Sequence, residues 1–172
     1  MKLAVGDFVV YGTHGVGRVV AREKKRALDG APSEVVVLAL EDGLTVTLPL
    51  TKAREQLRPV ADEKDLLKIE MTLRADRELS AGPWLSRRTE LQAKLTGSDP
   101  VQLAEIVVEG AQRERLRLAT GTKSPLSPGE RAFVVRARKL LAGEIAVARG
   151  QEKAAADGWI DAQLHRPELP AG

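Results

Sequence analysis

The repeat distance of the apolar residues changes once along this chain, and that change rules out a single uniform architecture. Up to about residue 58 they come in short, β-rich runs, some of them strictly alternating; beyond about residue 60 they recur at helical spacing. A face built with a period of two belongs to a strand and one built with a period of 3.6 to a helix. Segregated strands and helices imply an α+β protein: a small, strongly bent sheet or barrel first, then an all-α bundle of about five helices.

Within the first part, "DFVVY" (7–11) stops at the glycine-rich turn "GTHGVG", and "VGRVVAR" (16–22) returns as its hairpin partner. A charged connection containing Gly and Pro leads to "EVVVLAL" (34–40). "EDG" then turns the chain into "LTVTLPL" (44–50), with Leu44, Val46 and Leu48 on one face and Thr45 and Thr47 on the other. Pro49 ends this strand or makes it an edge, and an exposed edge can take up a partner's strand. The expected β module covers 1–58 and the helical module 59–165, with a frayed tail at 166–172.

Capping signals punctuate the second part. Asp62 with Asp65 opens a helix through Leu66, Leu67, Ile69 and Leu73, and a second covers Trp84–Leu95. Asp99, Pro100 and Gln102 form the start of a third. "SPGE" (127–130) repeats the device: Ser127 caps, Pro128 opens and Glu130 closes the box of a fourth, and a fifth occupies roughly 151–165.

Several function classes fall away. With no cysteine, thiolate catalysis and Cys-ligated zinc are excluded, and two histidines, His14 and His165, make a poor metal site. No Walker or dinucleotide-binding sequence is present, and His14 reads as a turn residue. We expect no enzyme, no cofactor, no metal and no small-molecule substrate. Neither a signal peptide nor a membrane span is expected, which points to the cytoplasm. Lys and Arg number 27 against 24 Asp and Glu, a net charge of +3: compatible with a nucleic-acid partner without demanding one.

Aromatic residues are scarce (two Trp, one Tyr, two Phe), which draws attention to "GPWLSRR" (82–88). Two readings of Trp84 stay open. By helical spacing it shares a face with Leu91 and Leu95, as a core residue would. Pro83 instead suits a helix start, where the ring can project past the bundle beside Arg87 and Arg88. An apolar wedge next to guanidinium groups is how proteins enter the DNA minor groove and unstack a base step. The arginines farther on, at 113, 115, 117, 131, 136 and 138, read mostly as a solvated face.

Taken in order, "VGDFVVYGTHGVGRV" (5–19), "LTVTLP" (44–49), "WLSRR" (84–88), "GSDPVQLAEIV" (97–107) and "LSPGERAFVVRARKLLAGEIAVA" (126–148) carry a resemblance. The chain resembles the CarD family of bacterial transcription regulators (CarD and CdnL proteins) as far as about Ala148. That resemblance implies a Tudor-like N-terminal module that binds the RNA polymerase β subunit and a helical domain that contacts promoter DNA. The residue matching Trp84 would wedge into the minor groove at the upstream edge of the melted −10 region, stabilising the open complex without sequence-specific readout. Arg87 and Arg88 would contact the backbone. The polymerase surface would map to Lys25 and to Thr45, Val46, Thr47, Leu48 and Pro49. The protein is expected to act as a monomer; the competing expectation is a protein–protein adaptor with Trp84 in its core.

Some residues depart from the family pattern. Lys25 stands where arginine is common, Thr47 where some members are basic, and Gly12 where a proline often follows the tyrosine. Leu85 sets the arginines one position farther from the indole, and "LATGTKSPL" (118–126) lengthens a loop. A related β module occurs in transcription-repair coupling factors, but their helicase motifs are missing from this sequence.

Overall fold

The computed structural model describes residues 1–79, 81–121 and 126–165. The tail 166–172 and the centre of the 118–126 loop lie outside them. The chain divides after Val60 into two compact units, Met1–Val60 and Ala61–Gly172.

Five antiparallel strands build the first unit: β1 (Phe8–Val10), β2 (Val16–Arg26), β3 (Pro32–Leu40), β4 (Thr45–Pro49) and β5 (Arg58–Pro59), in the sheet order β4-β3-β2-β1-β5. Alternation puts Val19, Val36 and Leu38 into a core with Leu3, Val9 and Leu57. Asp42 makes the expected tight turn, its Oδ1 accepting from the Leu44 N–H at 3.0 Å, while Leu44 itself stays exposed before β4 begins. His14 ends a 3-10 turn (Gly12–His14), its ring stacked on Tyr11 at 4.9 Å.

Three features differ from the sequence reading. The charged connection after residue 22 is not a loop: β2 continues to Arg26 and pairs with β3 as far as Arg26↔Pro32. Glu23–Arg26 and Ala31–Pro32 are exposed, so no apolar alternation marks them. Second, Leu50–Gln56 forms a short helix, α1, which buries Ala53. Third, Arg58–Pro59 is a fifth strand paired with Val9 and Val10, so the sheet extends through Pro59.

The second unit holds five helices: α2 (Glu63–Arg74), α3 (Trp84–Gly97), α4 (Pro100–Ala119), α5 (Pro128–Arg149) and α6 (Lys153–Leu164). Their starts follow the capping signals. Asp62 and Asp65 bond reciprocally to each other's backbone N–H, and Asp99 Oδ1 accepts from the N–H groups of Val101 and Gln102. Leu95, Leu103, Ile106, Leu141, Ile145 and Ile160 centre one core. Each such buried side chain is worth about 1.5–3 kcal/mol relative to exposure. Polar ties cross between helices: Lys94 on α3 pairs with Glu105 on α4 at 2.9 Å, and Arg138 on α5 reaches Asp157 and Asp161 on α6, each at 2.7 Å. The carboxylate of Glu144, almost fully buried on α5, accepts from the Ala61 N–H at 2.9 Å and so anchors the chain just ahead of α2.

Candidate functional site

Trp84 is the first residue of α3, behind Pro83, whose extended backbone (φ −61°, ψ 152°) brings the chain into the helix. The ring is half-buried and lies outside the apolar cluster that centres the unit, whereas Leu91 and Leu95, farther along α3, both join it. The shared face expected from helical spacing therefore splits. Its two leucines face the core, and the tryptophan, one end removed, has moved to the start of α5.

What it meets there is the start of α5, a stretch that the sequence marked only by its capping motif. A Cβ on Gly129 would come within 2.9 Å of Trp84 Cζ2, so the indole rests against glycine backbone. Phe133, one turn along α5, meets the ring edge-on, with centroids 6.3 Å apart and planes at 68°. Over the ring stands the Arg87 guanidinium, its Cζ 5.3 Å from the centroid.

Arg87 in turn is held. Its Nη2 donates to Glu130 Oε1 at 2.7 Å and its Nε to the Gly82 carbonyl at 3.2 Å. Glu130 thus departs from its expected role. Ser127 Oγ does accept from the Glu130 N–H, but the Glu130 carboxylate crosses to α3 instead of closing a capping box. Arg117 Nη2 approaches the other carboxylate oxygen at 3.5 Å, near enough for Coulomb attraction but outside hydrogen-bond geometry. Burial alone would raise the Glu130 pKa; the Arg87 hydrogen bond and the charges of Arg87 and Arg117 overcome it and hold the group below the usual glutamate value. Arg113 also borders this site, and burial followed by repulsion from Arg87 lowers its pKa. A partly open cleft, with space for about two water molecules at its centre, lies beside Arg87, Gly110 and Glu130.

The two arginines of "SRR" therefore part company. Arg88, four residues after Trp84, is exposed, while the Arg87 side chain retains only 14% of its exposure. Sequence reasoning gave Glu130 a capping role and connected none of Gly129, Glu130 and Phe133 with Trp84. The "SPGE" motif did mark the place, but its local pattern suggested a local use.

In the first unit, Thr45–Pro49 form the edge strand β4, bonded on one side only, to Val35–Ala39 of β3. Val46 and Leu48 turn to the core, and Thr45, Thr47 and Pro49 are exposed. Lys25 stands on the same sheet, in the ribbon of β2 and β3 beyond the end of β4, with its Nζ 3.7 Å from the Glu23 carboxylate. The sheet register places Glu23, Val35 and Pro49 in one row and Lys25 two residues farther on, about 7 Å along the strand. Among the described residues no cluster of His, Cys, Asp and Glu could hold a metal, and no helix is long and apolar enough to cross a membrane.

Comparison with known proteins adds two family matches. A model described as the CarD-like/TRCF RID domain matches residues 3–61, and one described as the CarD C-terminal domain matches residues 68–161. A Bacillus subtilis (strain 168) protein named "Putative transcription factor YdeB" is 28% identical over 150 residues, covering 85% of this chain and 92% of that protein.

Proposed function

The chain belongs to the CarD family of transcription regulators, and from that premise we propose that it binds the RNA polymerase β subunit and stabilises the open promoter complex. In this reading the N-terminal sheet docks on polymerase through the exposed side of β4 and the region of Lys25. Trp84 enters the minor groove at the upstream edge of the melted bubble, and the exposed Arg88 contacts the backbone. The protein acts as a monomer in the cytoplasm, with no catalytic step.

One observation carries the proposal: Trp84 opens α3 outside the helical core, beside exposed Leu85, Ser86 and Arg88. Tethering to polymerase raises the effective concentration of the helical unit near DNA, so a net charge of +3 suffices. Wedging an indole into intact duplex costs a few kcal/mol of unstacking. At a bubble edge that stacking is already broken, so the same ring binds the open form better than the closed one. The difference in affinity sets the limit on how far the equilibrium moves.

Trp84→Ala tests this directly. Polymerase binding should stay at the wild-type level while open-complex lifetime falls about fivefold to a hundredfold, the equivalent of one aromatic–base stack. A wild-type lifetime in the variant would overturn the wedge.

A second reading, a protein–protein adaptor without DNA contact, draws on the packing of the indole against Gly129 and Phe133. It requires that the Trp84 indole be inaccessible to quencher in the free protein and that neither Arg87 nor Arg88 give a crosslink to promoter DNA. Quenching of Trp84 fluorescence, with Trp159 replaced by Phe, separates the two.

A further inference from the structure

Resting on the reading of Trp84 as the DNA-contacting residue, we infer that Gly129 and Glu130 are positioning residues for its indole, and that Arg87 is the clamp between α5 and the ring, not a phosphate ligand.

Gly129 contributes shape. It lies in ordinary helical backbone at the second position of α5, with no left-handed φ to demand glycine. A helix would favour alanine there. The indole is what disfavours it, because a methyl group would stand 2.9 Å from Cζ2 and 3.6 Å from Cε2. Glycine at this place gives the flat ring a flat seat.

Glu130 contributes direction. Its carboxylate sits at the N-terminal end of α5, where the exposed backbone N–H groups favour a negative charge. From there it pulls the Arg87 guanidinium across α3. With Nη2 on Glu130 and Nε on the Gly82 carbonyl, the guanidinium is tied at two points while its carbon lies over the ring. Phe133 adds an edge contact. The ring is thus ordered before DNA arrives, and ordering completed in advance need not be repeated on binding. A cation paired with a buried carboxylate is a poor ligand for phosphate, which leaves that contact to Arg88.

The clamp and the phosphate-ligand views of Arg87 differ in sign. Glu130→Gln removes a negative charge and loosens Arg87. Were Arg87 a phosphate ligand, that variant would bind promoter DNA more tightly and lengthen open-complex lifetime. As a clamp it must do the opposite.

The experiment uses the full chain carrying Trp159→Phe, a bacterial RNA polymerase and a promoter fragment. Trp84 anisotropy and acrylamide quenching are measured on the free chain for wild type, Glu130→Gln and Gly129→Ala, and open-complex lifetime for these and for Trp84→Ala. We expect the first two to free the indole, with lower anisotropy and stronger quenching. Both should shorten the lifetime by about twofold to tenfold, the range for releasing one ordered side chain, with polymerase binding unchanged. A longer lifetime with Glu130→Gln overturns the clamp. So does a wild-type lifetime in both variants, whether or not the indole has been freed. If Trp84→Ala itself leaves the lifetime unchanged, the wedge fails, and with it the reading on which the clamp rests. Any variant that melts below the assay temperature is replaced by Phe133→Leu, which removes the edge contact without altering charge, under the same expectation.

Discussion

Glu130 on α5 meets Arg87 on α3 through a 2.7 Å hydrogen bond at a point where their side chains are 5% and 14% exposed. Glu130 therefore stays charged in the fold below the pH at which an exposed glutamate takes a proton. Its ordinary value is about 4.5, and the folded value is lower. The unfolded chain binds the proton first, so the stabilisation is complete above that ordinary value and disappears as pH falls through the folded one. Melting temperature should drop as pH falls below about 4.5, and Glu130→Gln should flatten part of that drop. Some acid sensitivity will remain, because Asp62 is also held low, chiefly by the Asp65 backbone N–H. A parallel acid profile in wild type and Glu130→Gln would remove Glu130 from the account.

At the crossing of α4 and α5, a Cβ on Gly110 would lie 2.5 Å from Val134 Cγ2. Valine is stiff at χ1 and cannot swing aside. Gly110→Ala should destabilise the helical unit by about 1–3 kcal/mol, as overpacking does. Adding Val134→Ala should return part of that loss. Denaturant titration of the four forms gives the coupling energy directly, and additive effects would refute the clash.

Glu144 is buried with its carboxylate on the Ala61 N–H. Glu144→Ala removes that acceptor and should cost about 1–3 kcal/mol, the usual penalty for a buried donor deprived of its partner. Glu144→Gln keeps an acceptor in place and should cost clearly less. Equal losses in the two variants would show that the hydrogen bond is not what matters there.

If polymerase docks on the outer side of β4, charge on that edge should block it. Thr45→Glu with Thr47→Glu changes two exposed positions and is expected to weaken polymerase capture by about tenfold or more, in the way that edge charges prevent strand pairing. The melting of the helical unit should not change. Capture at wild-type strength would move the interface elsewhere on the first unit.

Much of this protein was legible in its residues because the signals are local. Asp62, Asp99 and Ser127 satisfy orphan N–H groups within three residues of themselves, so a cap can be recognised without knowing what the helix packs on. The hairpin at Asp42 and the apolar faces of β3 and α5 belong to the same class. The "WLSRR" motif drew attention to Trp84, whereas "SPGE" was legible only as a cap.

Tertiary structure decided the rest. No alternation marks Glu23–Arg26, exposed on a free ribbon, and Arg58–Pro59 becomes a strand only because β1 lies beside it. The largest difference concerns Glu130. By sequence it is the fourth member of a capping box. In the fold, Arg87, 43 residues earlier in the chain, presents a cation at 2.7 Å. A charge-assisted bond to a guanidinium at a poorly hydrated place is stronger than one to a neutral backbone N–H. Local sequence determines which groups need partners, whereas the crossing of α3 and α5 determines which partner each one finds, since only packing brings distant charges together out of water.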